Sequence, residues 1–396
     1  KSENEGWERQ INGLSNNEKA NLLLEKHTFK ELLADVEQRN LQNNIVGLEA
    51  SRLFARSEIN MGVDAFRDSL YAMLKRNTFL NIKFENMLDT LGEMSRTDLY
   101  SYLKEWEQLT PLPFYSIGEP ELTKVVNKGG EEFFVLKVLV SNNSDYDGII
   151  QMNVLQNGWW YQPMEDPRAR KKVEIAAHTS KEFVSVWEEQ IRDVEINTMV
   201  SGNLPYMIRQ SIGNVKQERN KIVKDTIYTL PESSLEMPGE VIVDNEDSTL
   251  FVLSTPAVVG LLPKWLDKVE DTSFKYSGIS WWRAPLQWTA TTNAKYYGKY
   301  IRSAYVIKSG DGSQTATWKI PVPEAGQYEL YYHVFKDDEL RWNDRLQGEY
   351  HFRVAYDSEM EDAYINPRKA NEGWEQLGTY YFSADTVRVV RTDECK

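Results

Sequence analysis

Cysteine is almost missing from this 396-residue chain: Cys395 is the only one. A disulfide framework and any cysteine-based zinc site are therefore excluded. Histidine is nearly as scarce. His27, His178, His333 and His351 lie far apart, and none stands in a His-Glu-x-x-His motif. A Gly-rich phosphate loop and a Gly-x-Ser-x-Gly nucleophile elbow are both missing. Positive charge is in deficit, with 46 Lys+Arg against 60 Asp+Glu and a net charge of −14. That balance argues against a nucleic-acid partner, because reading a phosphate backbone needs a basic face. No apolar run nears the ~18 residues of a membrane-spanning helix, and the best candidate, 257–262, falls far short.

What is present is aromatic. Twelve Trp, 21 Tyr and 14 Phe within a hydrophobic content of 41% are ample for folded cores. The length suggests two or three domains. The first residue is Lys1 rather than Met, so a longer parent polypeptide is expected.

The hydrophobic period divides the chain. Ser15 with Glu18 makes a capping-box pattern ahead of an apolar run from Leu22 to Val36. In 61–76, Val63, Phe66, Leu70, Met73 and Leu74 recur at helical spacing and predict one buried stripe. Asn81 is expected to cap a third helix carrying Met87, Leu88, Leu91 and Met94. Ser95 with Asp98 is expected to cap a fourth, with Leu99, Leu103 and Trp106 inward. Pro111 and Pro113 end the helical stretch.

From Phe114 the period becomes that of strands. FFVLKVLV (133–140) reads as a strand buried on both faces. KEFVSVW (181–187) alternates Phe183, Ser185 and Trp187 against Val184 and Val186. The charged stretch 203–235 reads as a helical connection. After the Pro238–Gly239 pair, TATWKIPV (315–322), QYELYYHVF (327–335) and EYHFRVAY (349–356) are strands separated by turn residues. The expected fold is a multidomain α+β chain: an α-helical domain over 1–114, an Ig-like β-sandwich with its connecting helical segment over 115–238, and a jelly-roll-like β-sandwich over 239–396.

Two constellations could carry binding. Trp281, Trp282 and Trp288, beside Arg283 and Tyr297, offer ring faces and polar neighbours of the kind that hold sugars. Core filling is the competing reading, as it is for Trp159, Trp160 and Tyr161. Carboxylates gather at Asp337, Asp338 and Glu339, and again at Asp357, Glu359, Glu361 and Asp362. Of these, Asp357, Glu359 and Asp362 are candidates for calcium, against the plainer reading of solvated loop charge. His27 has Glu31 as its nearest acid but no second His at ligand spacing, and reads as no ligand.

The segment 61–113, MGVDAFRDSLYAMLKRNTFLNIKFENMLDTLGEMSRTDLYSYLKEWEQLTPLP, resembles the stretch after the catalytic centre in aminopeptidase N-like zinc metallopeptidases. The pattern is a Gly-x-x-x-Phe helix, Phe79, a capped helix, and a Trp before a Pro-rich exit; the resemblance extends over about 40–200. It implies a helical lobe followed by a β-sandwich. The family's zinc ligands and downstream Tyr would all precede Lys1, so no catalytic residue is carried over, and zinc is expected only in an upstream part.

A second resemblance rests on VIVDNED (241–247), on 296–334 from YYGKYIRSAY to ELYYHV, and on GWEQLGTYYF (373–382) with VRVV (387–390). These are similar to the golvesin C-terminal-like domain, with Asp244, Gly298, Arg302, Ser303, Trp318, Tyr328, Trp374 and Phe382 among the matching residues. An insertion near 250–285 departs from the family pattern. The resemblance implies a β-sandwich and a carbohydrate-binding-like role on secreted or surface bacterial enzymes, hence an extracytoplasmic location. VIVDNED would be the first strand.

Three functions follow as expectations. The first is the non-catalytic C-terminal portion of a secreted or surface metallopeptidase-like protein, working beside an upstream catalytic domain of the same polypeptide. The second is a glycan-binding module on a helical scaffold, holding glycan or cell-surface polysaccharide. The third is a structural interaction protein without a small ligand. No cofactor is expected in the chain itself.

Overall fold

A computed structural model describes residues 13–156, 166–220, 223–232, 239–254, 274–279, 284–336, 348–357, 359–383 and 386–395. The chain divides into one unit of residues 16–235 and another of 1–15 with 236–396.

The first unit begins with helices α1 (Asn16–Leu24), α2 (Phe29–Ala34), α3 (Gln42–Met61), α4 (Val63–Arg76), α5 (Phe84–Ser95) and α6 (Leu99–Glu105). The apolar run 22–36 is not continuous helix, because Thr28 starts α2 with a reciprocal capping box to Glu31. Two expected caps differ. Asn81 leaves α5 uncapped: that helix starts after Lys83 without a side-chain cap. Asp98, not Ser95, caps α6 by accepting the N–H groups of Tyr100 and Ser101, while the Ser95 hydroxyl donates to the Leu91 carbonyl within α5. Leu53, Phe66, Leu88, Leu91 and Leu99 form the helical core, with Leu103 and Trp106 packed against it. The stripe of α4 is narrower than expected: Phe66 and Met73 are buried, but Val63 and Leu74 face solvent.

The same unit continues into strands β1 (Tyr115–Ile117), β2 (Glu121–Val126), β3 (Glu132–Asn142), β4 (Gly148–Gln156), β5 (Arg170–Ile175), β6 (Thr179–Trp187), β7 (Ile191–Asn197), β8 (Met207–Ser211), β9 (Val215–Arg219) and β10 (Thr226–Pro231). One sheet runs β10-β6-β3-β2-β9, with β1 added to β3; the other runs β5-β4-β7-β8. Leu136, Val138 and Val140 of β3 meet Ile150, Met152 and Val154 of β4 in a shared core, which makes the stretch a sandwich. The alternation of β6 places Phe183 and Trp187 in that core and Val184 and Val186 in a second cluster with Val125 and Val135.

One expectation is corrected by these strands. The stretch 203–235 is not a helical connection, since it contributes β8, β9 and β10. Its charged run misleads because β9 is an edge strand, paired only with β2 among the described residues and exposed at most positions. Charged residues suit such an edge, where they discourage further pairing. The helices and the sandwich belong to one compact unit. Ala55 of α3 packs with Ile149 and Met199, and Glu58 pairs with Lys172.

In the second unit the strands are β11 (Phe251–Ser254), β12 (Thr289–Thr292), β13 (Ser303–Val306), β14 (Thr315–Pro321), β15 (Gly326–Val334), β16 (Tyr350–Tyr356), β17 (Glu359–Ile365), β18 (Gly373–Phe382) and β19 (Thr386–Cys395). A sheet β11-β14-β19-β16-β17 faces the pair β15-β18, and β12-β13 forms a separate ladder. Leu330, Val334, Phe352, Val354, Tyr380, Phe382 and Val389 fill the space between. The stretch 241–247 is not a strand but irregular chain and turn. Two of its acids explain this: Asp244 and Asp247 accept backbone N–H groups two residues on, which bends the chain locally.

Candidate functional site

The ladder β15-β18 has one face turned into the core and one turned outward. Side chains alternate along each strand, so His333, Tyr331, Glu329 and Gln327 share a face with their register partners Trp374, Gln376, Thr379 and Tyr381. The register shifts between Leu330 and Tyr331, which leaves Leu377 as the extra residue of a bulge without changing the outward set. Trp374 is 45% exposed, Tyr331 43% and Tyr381 65%, whereas Leu330, Tyr380 and Phe382 on the opposite face are buried. At ~3.3 Å of rise per residue, Tyr331 stands ~7 Å from the Trp374 level and Tyr381 ~20 Å from it. The outward face is thus a row of aromatic rings interleaved with amides, hydroxyls and a carboxylate.

The Trp374 end is the most built. The ring of Tyr297, from the segment between β12 and β13, lies edge-on to Trp374 at 4.8 Å and 61°. His333 meets Trp374 at 5.3 Å and 83°, and Tyr297 at 5.6 Å. Aromatic pairs favour such tilted geometries, which hold each ring in place. Burial pushes the His333 imidazole down to about 4, with the Arg302 guanidinium adding to the effect. The ring is therefore neutral at physiological pH. Lys295 and Glu372 stand 3.8 Å apart at the rim. Farther along, the Tyr331 hydroxyl donates to Glu329, which raises the tyrosine pKa, and Gln376 Nε2 donates to Thr379 Oγ1 at 3.2 Å.

A polar knot stands apart from this face. Lys275 Nζ reaches Glu246 Oε2 at 2.6 Å and sits 5.4 Å over the Tyr276 ring. The Ser303 hydroxyl donates to Glu246. Asp244 accepts the Glu246 N–H at 3.1 Å. Burial pushes the Asp244 carboxyl up to about 6, with the Glu246 charge acting in the same direction and backbone hydrogen bonds opposing it. These groups satisfy one another and pin 244–246 to β13.

Of the expected ligand residues, only Trp288 and Tyr297 fall among the described ones. Trp281, Trp282 and Arg283 lie outside the described residues, as do Trp159, Trp160, Tyr161, Asp337, Asp338 and Glu339. Trp288 is half-buried beside Arg391, whose guanidinium lies 5.9 Å from its ring, 3.8 Å over Tyr350, and donates to the Tyr332 hydroxyl at 2.9 Å. Its immediate neighbour is thus a packed arginine. Tyr297 joins Trp374 and His333 instead.

The calcium candidates go to separate partners. Asp357 accepts from Ser383, and Asp362 faces His351 Nε2 at 2.7 Å. On β17, Glu359 and Asp362 point to opposite faces by alternation. Among the described residues no group of three or more His, Cys, Asp or Glu is placed to hold a metal ion. Trp374, Tyr331 and Tyr381 were not singled out as ligand-facing from the sequence. The signal that marks them is period two: Trp374 and Gln376 on one face of 373–382, and Tyr381 between the inward Tyr380 and Phe382.

Residues 281–395 match the family model of the Golvesin C-terminal domain. That span contains the whole β12–β19 region and the aromatic face. No curated protein matches the chain. Among solved structures it is similar to a Paenibacillus xanthan lyase, at 14% identity and a TM-score of 0.25, over 72% of this chain and 27% of that one. The chain thus spans about a quarter of the lyase's length, and a TM-score that low carries no argument. These comparisons do not show the aminopeptidase N-like relationship expected for 40–200.

Proposed function

We propose that residues 236–396 form a carbohydrate-binding-like module with which a secreted or cell-surface protein holds polysaccharide. The observation that carries the reading is the outward face of β15-β18, where exposed Trp374 is braced by Tyr297 and His333 and continued by Tyr331 and Tyr381. Apolar sugar faces stack on exposed rings, and neighbouring amides and hydroxyls bond the sugar hydroxyls. The Golvesin C-terminal domain match over 281–395, which contains this face, supports the assignment. A row ~20 Å long suits an extended chain better than one ring. In this reading the protein works outside the cytoplasm, and the module contributes binding and anchoring rather than catalysis.

Affinity electrophoresis of the whole protein against a panel of neutral and acidic polysaccharides tests this. Retention by at least one polysaccharide is expected, with Trp374→Ala weakening it about tenfold or more, by analogy with the ~1–3 kcal/mol per ring of base stacking. If no polysaccharide retards the protein, or if Trp374→Ala migrates as the wild type does, the reading fails.

A further inference from the structure

The turn between α4 and α5 presents apolar side chains to water at a point where the chain is locally basic. Tyr71 and Leu74 lie three residues apart on one helix face and are both exposed, and Phe79 and Leu80 follow within six residues. The turn is built to hold them there. Asn77 Nδ2 donates to the Met73 carbonyl at 2.8 Å, and the Leu80 N–H donates to the Asn77 carbonyl at 2.9 Å. Phe79 adopts φ 66°, a left-handed conformation disfavoured for any residue with a side chain, and its ring is fully exposed. Phe84, at the start of α5, adds a further exposed ring.

Charge narrows what could cover this tip. Residues 69–84 contain Lys75, Arg76 and Lys83 and no Asp or Glu, in a chain where acids average about one residue in seven. All three cations are exposed. A second copy meeting this face about a two-fold axis would bring Lys75, Arg76 and Lys83 against their own like charges. A surface of anionic headgroups over an apolar interior complements both features at once.

We propose that the α4–α5 tip docks on an anionic lipid surface. Phe79 and Leu80 enter the boundary between headgroups and acyl chains, while Lys75, Arg76 and Lys83 lie among the headgroup phosphates. Such binding is peripheral and reversible, and it needs both the apolar and the electrostatic part.

Co-sedimentation of the whole chain with vesicles of phosphatidylcholine alone, and of phosphatidylcholine with phosphatidylglycerol, tests the proposal. Binding is expected only to the phosphatidylglycerol vesicles, and high salt should remove it. The pair Phe79→Ser with Leu80→Ser, and separately Lys75→Glu with Arg76→Glu, should each weaken it about tenfold or more. All four side chains are exposed, so thermal unfolding should stay at the wild-type midpoint in both variants. Absence of binding at low salt overturns the proposal, as does binding that neither pair affects. A vesicle-independent dimer that Phe79→Ser with Leu80→Ser dissolves, without lipid binding, would assign the face to a second copy and also overturn it.

Discussion

His333 and Trp374 stand opposite each other across the β15-β18 ladder, their rings 5.3 Å apart and nearly perpendicular. The imidazole of this pair is neutral at physiological pH. Burial, aided by the Arg302 charge, lowers the folded-state pKa to about 4 from an ordinary value of 6.5. The folded protein therefore binds fewer protons than the unfolded chain between pH 4 and 6.5. The stability this contributes is complete above pH 6.5 and is lost as pH falls through that window. By linkage it amounts to about 3 kcal/mol at most. Denaturation midpoints measured from pH 7 to 4 should fall less steeply in His333→Phe than in the wild type. Equal slopes would show that His333 does not control the acid limb.

The spacing of the outward rings makes a separate prediction about ligand length. Trp374 and Tyr331 lie within ~7 Å along the strands, whereas Tyr381 is ~20 Å from the first. Trp374→Ala should weaken retention of short oligosaccharides and long polysaccharide alike. Tyr381→Ala should weaken only the long ligand, by about tenfold. Calorimetric titration with a size series of one bound polysaccharide reads this directly. A Tyr381→Ala effect of equal size on the shortest binding oligomer would confine the site to fewer rings.

The legible part of this chain was its periodicity, and the illegible part was what periodicity does not encode. Helical spacing around Phe66, Leu88, Leu91 and Leu99 marked a core that the structure contains. Alternation in KEFVSVW marked β6 together with the direction of each side chain. The charged run at 216–221 misled because an edge strand needs no buried face, so β9 carries no apolar alternation. Leu74 fitted the spacing of α4 and still faces water, since spacing says which residues share a face and not how wide the covering surface is. The outward aromatic face of β15-β18 was hidden for another reason. Clustering in sequence drew attention to 281–288, but rings on paired antiparallel strands meet through register. The pairing of His333 with Trp374 is invisible until two distant strands are aligned.

Asp244 titrates with the opposite sign to His333. Burial raises its carboxyl to about 6 from an ordinary 3.8, and the nearby Glu246 charge adds to the rise. Between those values the folded state binds more protons than the unfolded chain, so this group favours folding as pH falls and opposes it at neutral pH. Asp244→Asn keeps an oxygen acceptor for the Glu246 N–H and removes the buried charge. We expect it to raise stability at pH 7 by about 2 kcal/mol and to give no gain near pH 4. A neutral-pH loss in chemical denaturation would mean that the charge is worth more to its backbone donors than burial costs it.

Gly13 belongs structurally with a part of the chain more than 260 residues away. Its φ is +78°, and a Cβ there would lie 2.1 Å from the Ser277 carbonyl carbon and 2.5 Å from the Gly278 nitrogen. Both neighbours are backbone and cannot rotate aside. The Thr292 hydroxyl donates to the Gly13 carbonyl at 3.3 Å, and the Ser277 N–H donates to the Ala290 carbonyl at 2.8 Å. Gly13 is thereby tied to β12 through both of its contacts. Gly13→Ala should force the segment at 277–278 away and cost about 3 kcal/mol or more, combining a disfavoured φ with a backbone clash. The loss should be local. Hydrogen exchange should speed up at Thr289–Thr292 and Ser303–Val306, while the amides of β3 and β6 keep their wild-type protection. If exchange in β12 and β13 is unchanged, Gly13 does not pack where its backbone places it. If β3 and β6 loosen to the same extent, the substitution acts on the whole chain rather than on this ladder.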